Sequence, residues 1–154
     1  ELASALDLLA GFEGVDPDAM GVLGHSLGGQ EAGWLAWHDD RIGAAAVASG
    51  VARLAAIQRA RVTHNFALYV PGLLAIGDME DVLADVLPTP LWLGYGSDDP
   101  IFPPGSVRDL ATTVENVYAA AGVADRFETH IFDGGHAFPR AVRSAAYDWL
   151  DRWL

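Results

Sequence analysis

The pentapeptide Gly24-His25-Ser26-Leu27-Gly28 has residue types and a spacing that suit nucleophilic catalysis. It matches G-x-S-x-G between a predicted strand and a predicted helix, a sharp turn in which the Ser26 Oγ projects above the sheet from a strained backbone. We expect glycine at positions 24 and 28 because a side chain at either would collide with the backbone. The backbone N–H of Leu27 is the predicted oxyanion donor. The alternative is a glycine-rich helix start with a capping serine.

A serine nucleophile needs a general base, and His136 is the predicted one. It ends the run Asp133-Gly134-Gly135-His136, whose glycines let the loop after the last strand turn back over the sheet. The alternative is a histidine of a surface loop. His25 adjoins Ser26, but neighbouring residues of an extended segment point to opposite faces, so its ring is expected to lie away from the nucleophile. His64 lies in an irregular segment and is a candidate pocket residue.

The carboxylate that orients the base is expected after the third predicted strand, in Asp98-Asp99-Pro100. Asp99 is favoured because a following proline biases it toward the extended backbone of a loop end. Asp98 suits a turn residue whose side chain binds nearby amides. Asp133 is a weaker third candidate because it is so close in sequence to His136.

Alternating strand-like and helix-like segments predict an α/β fold with a mostly parallel sheet of about four strands flanked by helices. The wholly apolar run 42–48 is typical of a strand covered on both faces. The last strand alternates more than the others, so it is expected at a sheet edge. Strands are predicted at 20–23, 42–48, 91–95 and 126–132, and helices at 2–11, 28–37, 51–60, 78–87, 106–121 and 139–153.

Composition excludes several classes of function. A net charge of −12 over 154 residues opposes binding to nucleic acid or to anionic membranes. All nine basic residues are arginine and cysteine is absent, which excludes lysine Schiff bases, thiolate nucleophiles and disulfides. No histidine has a partner at metal-ligand spacing, so we expect no metal site, and we expect no other cofactor. No run of apolar residues is long enough to predict a membrane span. The compartment is not predicted. The chain begins Glu1-Leu2-Ala3 without Met, so either its true start lies upstream or processing removed it, and any signal peptide would have been lost with it.

Several stretches resemble α/β hydrolases near dienelactone hydrolase and acetyl xylan esterase. The acid loop is similar to the G-x-x-D pattern of that group, which has a proline four residues on, and this register also selects Asp99. The elbow, the acid loop, the histidine loop and a segment found in some bacterial members carry the resemblance, at Val15–Gly29, Gly96–Pro103, Gly135–Phe138, and His64–Phe66 with Tyr69–Leu74.

The resemblance implies that residues 1–154 form one partial domain, the C-terminal part of an α/β-hydrolase fold. Family members have several strands before the elbow, whereas a single strand is predicted here. The absent N-terminal half would hold a second oxyanion donor and a strand beside 20–23, so self-association through an open sheet edge is expected. Dienelactone hydrolase itself uses cysteine, and Ser26 moves this chain toward the esterases.

The predicted activity is hydrolysis of small carboxylic esters through Ser26, His136 and Asp99. One alternative is a peptidase of the prolyl-oligopeptidase type, which uses the same triad on this fold. Another is a non-catalytic fragment that needs its missing half. Several ring side chains are candidates for an acyl or sugar pocket, although such residues are more often core: His25, Phe66, Tyr69, Phe102 and Phe138.

Overall fold

The computed structural model describes all 154 residues and contains one parallel sheet of four strands in the order β1-β2-β3-β4. The strands are β1 (Met20–His25), β2 (Ile42–Ala48), β3 (Leu91–Gly96) and β4 (Phe127–Phe132). The helices are α1 (Leu2–Ala10), α2 (Leu27–His38), α3 (Leu54–Ala60), α4 (Met79–Ala84), α5 (Pro104–Ala120) and α6 (Arg140–Trp153). Short 3₁₀ turns occur at Phe66–Leu68, Leu73–Ala75 and Ala124–Arg126.

The predicted α/β architecture is confirmed, and β2 has the predicted bounds. The largest differences are at element ends. β1 continues to His25, two residues beyond the predicted end, and α3 begins at Leu54 rather than at position 51. None of the helices combines the length and the hydropathy that a bilayer span requires.

Alternate residues of the central strands face two separate layers of core. Ala45 and Val47 of β2 belong to the larger apolar cluster, whereas Ala46 and Ala48 belong to a smaller one on the opposite face. That smaller cluster includes Trp149 of α6. All four β2 residues are at most 2% exposed, which is why the strand is apolar along its whole length.

Because the strands are parallel, their carboxyl ends lie along one edge of the sheet. His25 pairs with Ala48 in register, and Gly96 pairs with Phe132. The loops that follow β1, β3 and β4 therefore meet above this edge. β4 is a lateral edge strand, as predicted, and β1 is the other lateral edge because its only neighbour is β2.

Candidate active site

Ser26 lies at the turn between β1 and α2 and has a strained backbone. Its φ of 59° and ψ of −123° fall outside the regions that residues with a side chain ordinarily occupy. The turn is held on both sides, since the Ser26 N–H donates to the Ala48 carbonyl at 2.9 Å and the Gln30 N–H donates to the Ser26 carbonyl at 3.0 Å. Leu27 is the first residue of α2, where a backbone N–H has no acceptor within the helix.

Close backbone packing explains one of the two predicted elbow glycines but not the other. A Cβ at Gly24 would overlap the carbonyl of Gly28. A Cβ at Gly28 would meet nothing within 4 Å, so the prediction that a side chain there collides is wrong. The second tight position is Gly29, where a Cβ would lie 2.9 Å from the Ala48 carbonyl oxygen. The close contact between α2 and the end of β2 is thus at Gly29, one residue after the last glycine of the motif.

The loop after β4 brings His136 between Ser26 and Asp99. The His136 Nε2 lies 2.8 Å from the Ser26 Oγ, and its Nδ1 lies 2.8 Å from the Asp99 Oδ2. The loop can pass this close because its backbone at Gly134 packs on Gly96, where a Cβ would overlap it. Sequence positions separated by up to 110 residues thus form one chain of hydrogen bonds.

The three acid candidates occupy different environments. Asp99 is 3% exposed, and its Oδ1 accepts hydrogen bonds from the Ile101 N–H at 2.9 Å and the Phe102 N–H at 3.0 Å. Asp98 and Asp133 are exposed. Only Asp99 contacts His136.

Ring side chains surround His136. Phe102, which is 1% exposed, packs on it with centroids 5.7 Å apart, and the His25 ring lies 5.0 Å away. Phe138 stacks on His25 at 5.6 Å with 2° between the planes. The expectation that the His25 ring lies away from the Ser26 Oγ stays a prediction, but the contact of this ring with His136 was not predicted. Strand alternation orients His25 relative to its own neighbours, but the loop from β4 folds over the face that His25 occupies.

Two histidines near His136 are kept neutral by their surroundings. Burial lowers the pKa of His25, and the charge of protonated His136 lowers it further. The same two causes, in the same order, lower the pKa of His64, whose ring packs edge-on against Phe102 at 4.6 Å. The Nε2 atoms of both rings are buried without a hydrogen-bond partner. Both imidazoles are thus neutral at pH 7.

The other two candidate pocket residues make no ring contact with His136, and of all five candidates only Tyr69 lines a cavity. Phe66 is 94% exposed and lines none of the cavities. Tyr69 lines a separate hollow of about 320 Å³ beside Pro71, which includes neither Ser26 nor His136. An aromatic-rich segment is no guide to a pocket when its turns point the rings outward.

Sequence reasoning missed Gln30, a buried polar residue on α2. Its Nε2 donates to the Ala67 carbonyl at 2.6 Å, which ties the irregular segment that carries His64 to the helix that follows Ser26. The sequence signal for this contact was an amide side chain among the otherwise apolar residues of the buried face of α2. No cluster of three or more histidine, aspartate or glutamate side chains is arranged to hold a metal ion.

A parallel sheet with a serine elbow after one strand, and acid and histidine loops after two later strands, defines the α/β-hydrolase fold. This chain has that fold. It is similar to several α/β-hydrolase esterases of known structure at 16–21% sequence identity.

A CE15 esterase from a marine bacterial metagenome matches with a TM-score of 0.79 over 99% of this chain and 46% of that one. A CE15 glucuronoyl esterase from Caldicellulosiruptor kristjansonii matches with a TM-score of 0.77 over 99% and 48%. The methylesterase BT1017 matches with a TM-score of 0.77 over 98% and 33%.

A curated relative, "Putative hydrolase YtaP" of Bacillus subtilis (strain 168), is 31% identical over 153 residues. That alignment covers 98% of this chain and 51% of the relative, so the chain spans about half the length of the curated protein it matches. No protein-family model matches the chain.

Proposed function

We propose that this chain carries the catalytic triad of a serine hydrolase that cleaves small carboxylic esters. The observation that supports the proposal most is the continuous chain Ser26–His136–Asp99, with both hydrogen bonds at 2.8 Å. The strained backbone of Ser26 supports it independently, because such strain persists mainly at functional sites.

In the first half of the reaction, the Ser26 Oγ attacks the ester carbonyl carbon while the His136 Nε2 takes the hydroxyl proton. The carbonyl π electrons move to oxygen, and the tetrahedral oxyanion faces the Leu27 N–H at the start of α2. When the oxyanion collapses, the bond to the alcohol oxygen breaks. His136 gives its proton to that oxygen, and the alcohol leaves an acyl-Ser26.

In the second half, a water molecule attacks the acyl carbon. His136 takes one water proton and then returns it to the Ser26 Oγ, which releases the carboxylic acid. Asp99 accepts the His136 Nδ1–H throughout. It fixes the tautomer with a free Nε2 lone pair and stabilises the transient imidazolium.

The proposed substrate class is a small ester with an exposed carbonyl. The triad is partly open to solvent, and none of the cavities of this chain includes Ser26 or His136. The chain by itself therefore encloses little of the acyl group. Ester hydrolysis is also what the names of the similar structures describe.

A fluorophosphonate probe, which phosphonylates activated serines, tests the nucleophile directly. We expect one adduct per chain on Ser26, and none in Ser26→Ala. Ser97→Ala is the matched control, because Ser97 carries an exposed hydroxyl just after β3. Labelling that persists in Ser26→Ala would place the nucleophile elsewhere. Turnover of p-nitrophenyl acetate without cleavage of a prolyl p-nitroanilide would favour the esterase over the peptidase.

A further inference from the structure

His25 contacts the general base, and the acyl-transfer steps give it no role. Its ring centroid lies 5.0 Å from that of His136, with 34° between the planes. Phe138 stacks on the same His25 ring at 5.6 Å, and Phe102 packs on His136 at 5.7 Å. The catalytic imidazole is thus part of a stack of rings.

The orientation of the His136 ring matters more than that of an ordinary side chain. Its two nitrogens bond to Ser26 and Asp99 at the same time, each at 2.8 Å, and a rotation of the ring plane breaks both bonds. The carboxylate of Asp99 is itself held by the Ile101 and Phe102 amides, whereas His136 has, besides its bonds to Ser26 and Asp99, ring contacts with His25 and Phe102 on its plane.

His25 is not placed to act as a second base. Ser26 is already bonded to the His136 Nε2, and the His25 Nε2 is buried without a partner. The titratable groups that face His25 are His136, whose charge lowers its pKa, and Asp99, which has a smaller and opposite effect. At pH 7 the neutral ring of His25 therefore lies against an imidazole that becomes positively charged in each catalytic cycle.

We propose that His25 is a positioning residue: its neutral ring holds the plane of the His136 imidazole and stabilises the imidazolium formed when Ser26 loses its proton. Ring pairs pack with centroids about 4.5–7 Å apart, a range that this pair satisfies at 5.0 Å, and a neutral π face beside a cation is electrostatically favourable. The inference rests on the proposed function, to which it adds a residue outside the triad.

Three substitutions distinguish the contribution of the His25 ring face from that of its nitrogen atoms. His25→Phe keeps a planar ring without a titrating group, His25→Gln keeps a polar side chain without a ring, and His25→Ala keeps neither. We expect His25→Phe to retain kcat within about threefold, and His25→Gln and His25→Ala to lower kcat about tenfold with KM unchanged, as for the loss of one aromatic contact. The same substitutions at His38, at the exposed end of α2, are matched controls and should leave kcat unchanged.

A proton resonance provides a readout independent of turnover. The His136 Nδ1–H, held against Asp99, should give a sharp downfield signal in the wild type and in His25→Phe. In His25→Ala and His25→Gln the signal should broaden because the loosened ring exposes the proton to exchange. If His25→Ala does not fold, the comparison of Phe with Gln decides the question.

The outcomes keep the two proposals apart. If the wild type hydrolyses no ester and Ser26 takes no probe, the proposed function fails, while the resonance still reports whether His25 fixes His136. If Ser26 is labelled but His25→Gln keeps a sharp signal and full kcat, the positioning role is overturned and the proposed function stands. The same holds if His25→Phe lowers kcat and broadens the signal while His25→Gln does neither.

Discussion

At the scale of single residues, the side chain of Asp99 is completely covered, and hydrogen bonds from the protein replace its contacts with water. The Ile101 and Phe102 amides bind its Oδ1, which leaves Oδ2 as the acceptor for His136. The proline that follows, Pro100, favours the extended backbone from which the next two amides can turn back toward the carboxylate. A short stretch of sequence thus both positions the Asp99 carboxylate and supplies two of its hydrogen bonds.

Replacement of Asp99 by asparagine should lower kcat by about 10³–10⁴ with a small effect on folding. The asparagine oxygen would keep the two amide bonds, so its NH₂ group would face His136. That geometry forces the tautomer whose Nε2 carries a proton, which can no longer accept the proton of Ser26. Steady-state turnover of p-nitrophenyl acetate, with thermal unfolding measured in parallel, checks both parts.

Asp98→Asn is the matched control for this prediction, since Asp98 is adjacent and exposed. It should change kcat by about twofold or less. A larger loss in Asp98→Asn than in Asp99→Asn would mean that the acid loop rearranges when substrate binds, and would overturn the assignment of Asp99.

The sequence predicted the residues of the hydrogen-bonded chain because each follows a strand, and parallel strands bring their carboxyl ends together. It did not predict what surrounds them. The contact of His25 with His136, and the tight packing at Gly29, depend on how a loop or strand distant in sequence approaches. Hydrophobic periodicity carries no information about such an approach.

At the scale of elements, Asp78 joins two short helices at their N-termini. Its carboxylate accepts from the Leu54 N–H at 2.6 Å and the Ala55 N–H at 3.1 Å at the start of α3. It also accepts from the Met79 N–H of α4 at 2.7 Å, and the Asp81 carboxylate accepts from the Asp78 N–H in return. One side chain therefore caps two helices that are distant in sequence.

Asp78→Ala should destabilise the protein by about 2–3 kcal/mol, because a lost N-cap costs about 1 kcal/mol and two helix starts lose theirs here. Asp81→Ala removes only the reciprocal bond of the capping box and should cost about 1 kcal/mol or less. Urea unfolding at pH 7 measures both values. Equal losses in the two variants would show that the bonds of Asp78 to α3 contribute little.

The elements themselves follow from apolar spacing, and their ends follow from local chemistry. The helix predicted at 78–87 begins at Met79, one residue later, because Asp78 is its N-cap. α3 has Arg53 at its N-cap, without a side-chain cap bond. Its start depends on Asp78 from another part of the chain, so the sequence around position 51 could not indicate it.

At the scale of the whole molecule, the N-terminal end of the chain is poorly covered. β1 is bonded to β2 alone, so its other side presents unpaired backbone groups. Only Leu6 of α1 is buried, while Leu8 is 71% exposed and Phe12, just after the helix, is 64% exposed. An open strand edge and uncovered apolar side chains both indicate a surface that suits further sheet and helix.

We therefore propose that the active enzyme contains protein beyond these 154 residues, which pairs with β1 and supplies a second oxyanion donor beside the Leu27 N–H. The curated relative, about twice as long, supports this proposal.

A chain extended at its N-terminus should turn over p-nitrophenyl acetate about 10²–10³ times faster than the 154-residue chain, the usual effect of one oxyanion donor. It should also be monomeric, whereas the shorter chain associates through β1. Light scattering and turnover of both chains at equal concentrations of probe-reactive serine test the two expectations together. A monomeric 154-residue chain with the turnover of the longer one would contradict both, and would mean that four strands and a single oxyanion donor suffice for catalysis.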